Sequence, residues 1–299
     1  MKLQTSIVPL NLFEKLGELY VARLMRSVWE ENADCEKDPW LSLRVFLKMY
    51  AFERQGRAPD YAFAAVDAID EHRFVSMKST SARMVWESFA SRLGNRNLNH
   101  ANNPLCPQGT GFKRFNKKVK ARRDSTVKNI SAVQLAGELD VPLITWAKDR
   151  LQRGEVGVAH KRLCEINGIG DKIASFFLRD VASHFQIAPA QDRHLLQPVD
   201  VWIRFVTHTL CRNKSFTDKE CALWIVAESK TPENANQGIW YFCSEVGHSS
   251  QYLVSRALRD ITFFNKLVRK HLDELRRFGT IAVEFDKLRD AAENTPSHH

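Results

Sequence analysis

Residues 163–182 read LCEINGIGDKIASFFLRDVA. Two segments with helical apolar spacing flank Gly168 and Gly170, and Lys172 follows at the mouth of the second. The spacing predicts a tight turn over Ile166–Lys172 between two helices, the second starting at about Asp171. Glycines reach backbone angles closed to other residues and let the main chain come close to a phosphate. The free N–H groups and positive dipole end of the second helix favour an anion at the same place. Ile166, Ile169, Ile173 and Ala174 would lock the helices together. Two roles for Lys172 remain open on this stretch alone: a contact to phosphate, or an amine that attacks carbon.

Outward from the hairpin, the pattern is helical almost throughout, and the chain reads as all-α. NLFEKLGELYVARLMRSVWEEN carries Leu12, Leu16, Leu19 and Val21 at helical spacing. DPWLSLRVFLKMYAFERQG opens with Asp38 as cap and Pro39 in the first turn, and stops at Gly56. SAVQLAGELDVPLITWAKDRLQRG holds two short helices. TDKECALWIVAES begins with Thr217 and Glu220 in capping-box register. SSQYLVSRALRDITFFNKLVRKHLDELRRFG reads as one long amphipathic helix, with TIAVEFDKLRDAAEN as a last one. TIAVEF is the best strand signal, and a weak one. Loops fall at GRAPD, at LGNRNLNHANNPLCPQGTG and at QIAPAQDRHLLQP; the second is the natural subdomain joint.

The chain has 299 residues, enough for one large or two modest domains, and ordinary globular proportions of apolar and charged residues. No apolar run approaches a membrane span, and the N-terminus lacks the pattern of a signal peptide. A net charge of +9 favours a polyanionic partner, most simply nucleic acid. The basic run KRFNKKVKARRDSTVK, headed by Lys113, Arg114, Lys117, Lys118 and Lys120, reads as a helix along phosphates, with Phe112 and Phe115 anchoring it. Cys35, Cys106, Cys164, Cys211, Cys221 and Cys243 form no C-x-x-C pair, and the ten histidines form no H-E-x-x-H. A reduced cytoplasmic protein without a structural metal is the simplest expectation.

Downstream, in LLQPVDVWIRFVTHTL, Asp200 follows Pro198 and Val199 and precedes an apolar helix that it can cap. Lys172 in GIGDK followed by Asp200 in PVD resembles the helix-hairpin-helix-GPD superfamily of DNA base-excision glycosylases. The longer gap between them, filled by SHFQIAPAQDRHLLQ, is similar to the archaeal GO glycosylase (8-oxoguanine) branch. FLKMYAFERQGRAPDYAFAAV, FKRFNKKVKARR and TPENANQGIWYF resemble further segments of that branch. Together the matches span roughly residues 40–245.

The resemblance implies two helical subdomains with the active site in the cleft between them. The expected divisions are an N-terminal helical subdomain over 1–110, able to pack with the C-terminal helices, a catalytic region over 111–260, and C-terminal helices and tail over 261–299. It implies Lys172 as nucleophile and Asp200 as its catalytic partner. Phe176 and Trp240 would stack a purine, and Asn236 stands where the branch has an acidic base contact. Gly168 and Gly170 would hold the DNA backbone, and Asn97 or Asn99 would fill the gap left by a flipped base. The implied activity is excision of an oxidised purine with β-elimination at the sugar, on double-stranded DNA, by a nucleoid-associated monomer with no membrane association. No cofactor is expected. There is no four-cysteine cluster for an iron–sulfur centre, and a structural monovalent cation at the hairpin is the one inorganic group that has a place. A monofunctional glycosylase for another base, with Asp200 activating water, and a non-enzymatic DNA-binding protein are the competing readings.

The chemistry asks that Lys172 be a neutral amine at the moment of attack. The apolar neighbours Ile173, Phe176 and Phe177 are expected to bury it partly and so favour that form.

Overall fold

A computed structural model of the chain describes residues 8–21, 29, 32–53, 58–74, 76–77, 79–94, 102–107 and 130–293, with the backbone alone for 79–81 and 280–293. The described residues form thirteen α-helices and no strand; one isolated parallel bridge joins Ile130 to Ile166. The all-α expectation holds. No described helix is long and apolar enough to cross a membrane.

Local chemistry starts most of the helices. α1 (Leu10–Tyr20) is followed by a short 3₁₀ turn and then α2 (Pro39–Phe46). Asp38 caps α2, accepting from Trp40 N at 2.8 Å and Leu41 N at 3.2 Å, and Pro39 occupies the first turn, where its missing N–H costs nothing. α2 runs on as a wider π turn to Phe52. α3 (Pro59–His72) and α4 (Ser79–Arg92) pair as a hairpin. Ser131 and Gln134 form a full capping box on α5 (Ala132–Glu138), which precedes α6 (Leu143–Gln152). The hairpin helices are α7 (Val156–Leu163) and α8 (Asp171–His184). α9 (Val201–Leu210) follows a 3₁₀ turn over Arg193–Leu196. α10 (Asp218–Glu228) starts on the expected box of Thr217 and Glu220. α11 (Pro232–Tyr241), α12 (Gln251–Arg259) and α13 (Ile261–Glu293) complete the chain.

Three expectations change. The segment 249–279 is not one helix: it breaks at Asp260, whose extended backbone ends α12 and whose carboxylate caps α13 through Thr262 N at 2.9 Å and Phe263 N at 3.1 Å. Conversely, α13 continues through Gly279 into TIAVEFDKLRDAAE, so no separate last helix forms and the weak strand signal is overridden. On α1 the buried stripe is Phe13, Leu16, Gly17 and Tyr20, turned from the Leu12–Leu16–Leu19–Val21 reading.

That turn of the stripe follows from how α1 packs on α11. A Cβ on Gly17 would lie 1.9 Å from Asn234 O, and one on Gly238 would lie 1.8 Å from Phe13 O. Backbone lies directly on backbone, so the seam needs hydrogen at both positions. Above it Phe13 meets Phe242 and Phe264 edge-on at 5.7 and 5.5 Å, and those two rings stack at 4.3 Å. Gly238→Ala forces the helices apart, and rotamer changes cannot relieve a clash with backbone. We expect it to destabilise by about 3 kcal/mol in urea unfolding, the upper part of the usual overpacking range. Gly279→Ala, whose Cβ would meet nothing within 4 Å on α13, should be neutral or stabilising by up to about 1 kcal/mol.

One apolar core runs from Val8 to Phe264. α8 passes through it: Ile173 to Ala182 are all buried, and Phe177 meets Phe46 and Tyr50 edge-on at 5.1 and 5.3 Å. The first turn of α8 reaches the surface, and Lys172 lies there.

The long α13 docks through His271, whose Nε2 lies 2.7 Å from Tyr241 Oη. Burial lowers the imidazole below its ordinary value of 6.5, against Glu274 and Glu245, which raise it, and with His248, which lowers it. The unfolded chain therefore takes up this proton first as pH falls. Stability present above 6.5 is lost as pH drops through the lowered folded value. Thermal midpoints compared at about pH 7.5 and about pH 5.5 should show a smaller acid loss in His271→Gln than in the wild type.

Candidate functional site

The turn between α7 and α8 uses its two glycines differently. Gly168 has φ +75°, and a Cβ there would lie 2.0 Å from Asn102 O, so both conformation and space demand glycine. Gly170 has an ordinary φ of −109° as the N-cap residue of α8, and a Cβ would meet nothing within 4 Å. The first glycine builds the turn; the second leaves open approach to the end of α8. Ile130 ties the turn down, donating to Glu165 O at 3.0 Å and accepting from Asn167 N at 2.8 Å, while Asn167 Nδ2 donates to Cys106 O at 2.8 Å. Ile166, Ile169, Ile173 and Ala174 are buried as expected.

Lys172 is exposed and lines a cavity of about 390 Å³. The near wall is His160, Asp171, Lys172 and Ser175. His194, Leu195, Gln197 and Val199 form a second wall, and Asp218, Lys219 and Ala222 of α10 a third. Asp200 is the residue after Val199. It is half-buried and caps α9, its Oδ1 accepting from Trp202 N and Ile203 N at 2.9 Å each. Both cap bonds use Oδ1, which leaves Oδ2 outside the cap.

A buried polar chain sets the Pro198–Asp200 step against α8. Arg179 of α8 donates through Nε and Nη2 to Asp180 Oδ1 at 2.9 and 2.7 Å, and through Nη1 to Asn236 Oδ1 at 2.9 Å. Asn236 Nδ2 donates to Pro198 O at 3.1 Å. Gln237 Nε2 donates to Asp180 Oδ1 at 3.1 Å. Arg193 holds Glu233 with two bonds of 2.9 and 2.7 Å, and Gln197 adds a third at 3.3 Å. The stretch that lengthens the gap between Lys172 and Asp200 is thereby pinned to α11.

The other expected base contacts lie elsewhere. Phe176 is buried in α8 with the Arg179 guanidinium 4.9 Å from its ring centre. Trp240 is half-buried and meets Tyr20 edge-on at 5.8 Å. Asn236 is buried within the chain just described. Neither these three nor Asp200 lines the cavity beside Lys172; Asp200 adjoins it through Val199. The expected burial of Lys172 by Ile173, Phe176 and Phe177 also does not occur: those side chains turn into the core because α8 buries every residue from Ile173 to Ala182, and the lysine lies one position outside. Lys113, Arg114, Lys117, Lys118 and Lys120, with Phe112, Phe115, Asn97, Asn99 and Gly56, lie outside the described residues.

Sequence reasoning passed over His160, Ser175, His194, Gln197 and Lys219. His160 carried a readable signal, four residues before Cys164 and so on the same helical face. Its Nε2 lies 3.2 Å from both Asp171 O and Ser175 Oγ, and burial lowers its pKa against the raising effect of Asp171. A second cavity, of about 660 Å³, lies between α9 and α12; Arg212, Lys214 and Arg259 make it basic.

These features define an all-α protein whose glycine hairpin presents a lysine to a cavity. No known family model, curated protein or solved structure matches the chain.

Proposed function

We propose that the protein is a DNA glycosylase with β-elimination lyase activity, acting on an oxidised purine in double-stranded DNA. The supporting observation is that Lys172, at the open end of the glycine hairpin, shares a cavity with Val199, the residue before Asp200. The cavity volume lies within the range of small-ligand sites. The basic second cavity and the net charge of +9 suit a polyanion.

A base inside a duplex is out of reach of any side chain, so it must be flipped out, at a cost of a few kcal/mol that backbone contacts offset. The N–H groups at the start of α8 receive a phosphate past the open side of Gly170. The free amine of Lys172 attacks C1′, the bond from C1′ to the base nitrogen breaks with its electron pair going to the base, and the newly bonded Lys172 nitrogen gives up the proton that the departing base takes. The sugar ring opens to a Schiff base on Lys172. Loss of the C2′ proton then expels the 3′ phosphate, and hydrolysis returns the amine. Because Lys172 is exposed, the bound nucleotide itself must exclude water from the amine. Asp200, through the oxygen outside its cap, stabilises positive charge on the sugar or relays the proton.

Duplex DNA carrying one 8-oxoguanine separates the readings. Base release with cleavage 3′ to the lesion supports this proposal. Release without cleavage supports a monofunctional enzyme, and binding with neither supports a DNA-binding protein. Asp200→Asn is the informative variant, because asparagine caps a helix as well as aspartate does. We expect activity to fall at least about 100-fold with little change in thermal midpoint. A loss of stability at unchanged specific activity would reduce Asp200 to a cap.

A further inference from the structure

We propose that His160, Cys164 and Asp171 form a binding site for one borderline divalent transition-metal ion, zinc being the best fit, which clips the end of α7 to the start of α8. The three donor atoms lie within 4.8 Å of one another. Cys164 Sγ is 3.8 Å from His160 Nδ1 and 3.8 Å from Asp171 Oδ1. Ligand atoms on a tetrahedral zinc stand roughly 3.3–3.6 Å apart, given metal–ligand bonds of about 2.0–2.3 Å. The sulfur is thus close to ligating distance from both partners. The remaining closure, up to about 1.5 Å between nitrogen and carboxylate, is within reach of the exposed Asp171 side chain.

A second observation concerns the imidazole. His160 Nε2 faces Asp171 O and Ser175 Oγ, each at 3.2 Å. The carbonyl can only accept, so the ring proton sits on Nε2 and the Nδ1 lone pair points to the sulfur. A second-sphere carbonyl holding the far nitrogen of a ligating histidine is the usual way such a ring is oriented. The ring is buried and cannot swing away. Thiolate, imidazole and carboxylate together suit zinc and its neighbours and are a poor set for magnesium or calcium. Three protein ligands leave a fourth position, and His160 and Asp171 both line the cavity that holds Lys172. On binding, the Cys164 thiol gives its proton to solvent and the Sγ–metal bond forms without any redox change. The site does not depend on the glycosylase reading.

The full-length chain, stripped with chelator and titrated with cobalt(II), tests it. The expected result is one equivalent bound, with the intense visible bands of tetrahedral cobalt and a near-ultraviolet thiolate charge-transfer band. Zinc should displace the cobalt and quench both. Cys164→Ser should lose the charge-transfer band, and Asp171→Asn should weaken binding by more than about tenfold, since outer-sphere changes alone reach that size. Cys211→Ser should behave as wild type. Circular dichroism confirms the fold of each variant, and the terminal His298 and His299 remain in all of them. No thiolate band in the wild type overturns the proposal without recourse to any variant, as does equal binding by wild type and Cys164→Ser.

Discussion

Lys172→Ala should abolish strand cleavage at an 8-oxoguanine site while leaving the fold intact. The lysine is exposed on the first turn of α8, and removing an exposed side chain outside a capping or core position changes stability by no more than about 0.5 kcal/mol. Its proposed role is nucleophilic, so the lost rate is that of the covalent path, at least about 1000-fold. Binding should weaken far less, by the value of a single phosphate-neighbourhood charge. Lys172→Arg separates charge from nucleophilicity: it keeps the positive group at the helix end but cannot form a Schiff base. A variant with arginine that still cleaves would show that the residue only contacts phosphate.

Arg179→Met should be the most destabilising single change among those considered. Arg179 and Asp180 are both buried, and their pairing is supported by Asn236 and Gln237. Removing the guanidinium leaves the Asp180 carboxylate buried without its cation and Asn236 Oδ1 without its donor. Breaking one partner of a buried pair costs about 3–5 kcal/mol. Replacing both partners, as in Arg179→Met with Asp180→Leu, should recover part of that, since a buried pair as a whole adds little to stability. The effect should extend to function. Asn236 would lose its orientation toward Pro198 O, two residues before Asp200, so the carboxylate would drift relative to α8. Urea unfolding gives the stability, and kcat under single-turnover conditions gives the second effect. A variant of native stability would mean that the chain of bonds carries no weight.

How much of this was readable in the residues follows from the range of each interaction. The hairpin was legible because its signals are local: two glycines and flanking isoleucines within one short stretch. Asp38, Thr217 with Glu220, and Asp200 were legible as caps for the same reason, since a cap is a contact between residues two or three apart. Asp260 was not, because the apolar periodicity of the segments on either side hides the break. The turn of the α1 stripe was also hidden, because it is set by Gly238, far along the chain, and a glycine carries no hydropathy signal. Phe176 shows the limit most clearly. Its spacing from Lys172 is right for one helical turn, but the face that it occupies is fixed by Arg179 and the core, which no local pattern records. The cluster of His160, Cys164 and Asp171 is half local, through the i, i+4 pair, and is completed only when the turn brings Asp171 back.

The central claim is that a covalent bond forms between the DNA sugar and one particular amine. Wild-type protein incubated with 8-oxoguanine duplex and sodium borohydride, then digested and sequenced by mass spectrometry, tests it directly. The account predicts a reduced deoxyribose adduct on the peptide containing Lys172. An adduct on Lys219 across the cavity, or none at all under conditions where the protein binds the duplex, would contradict it.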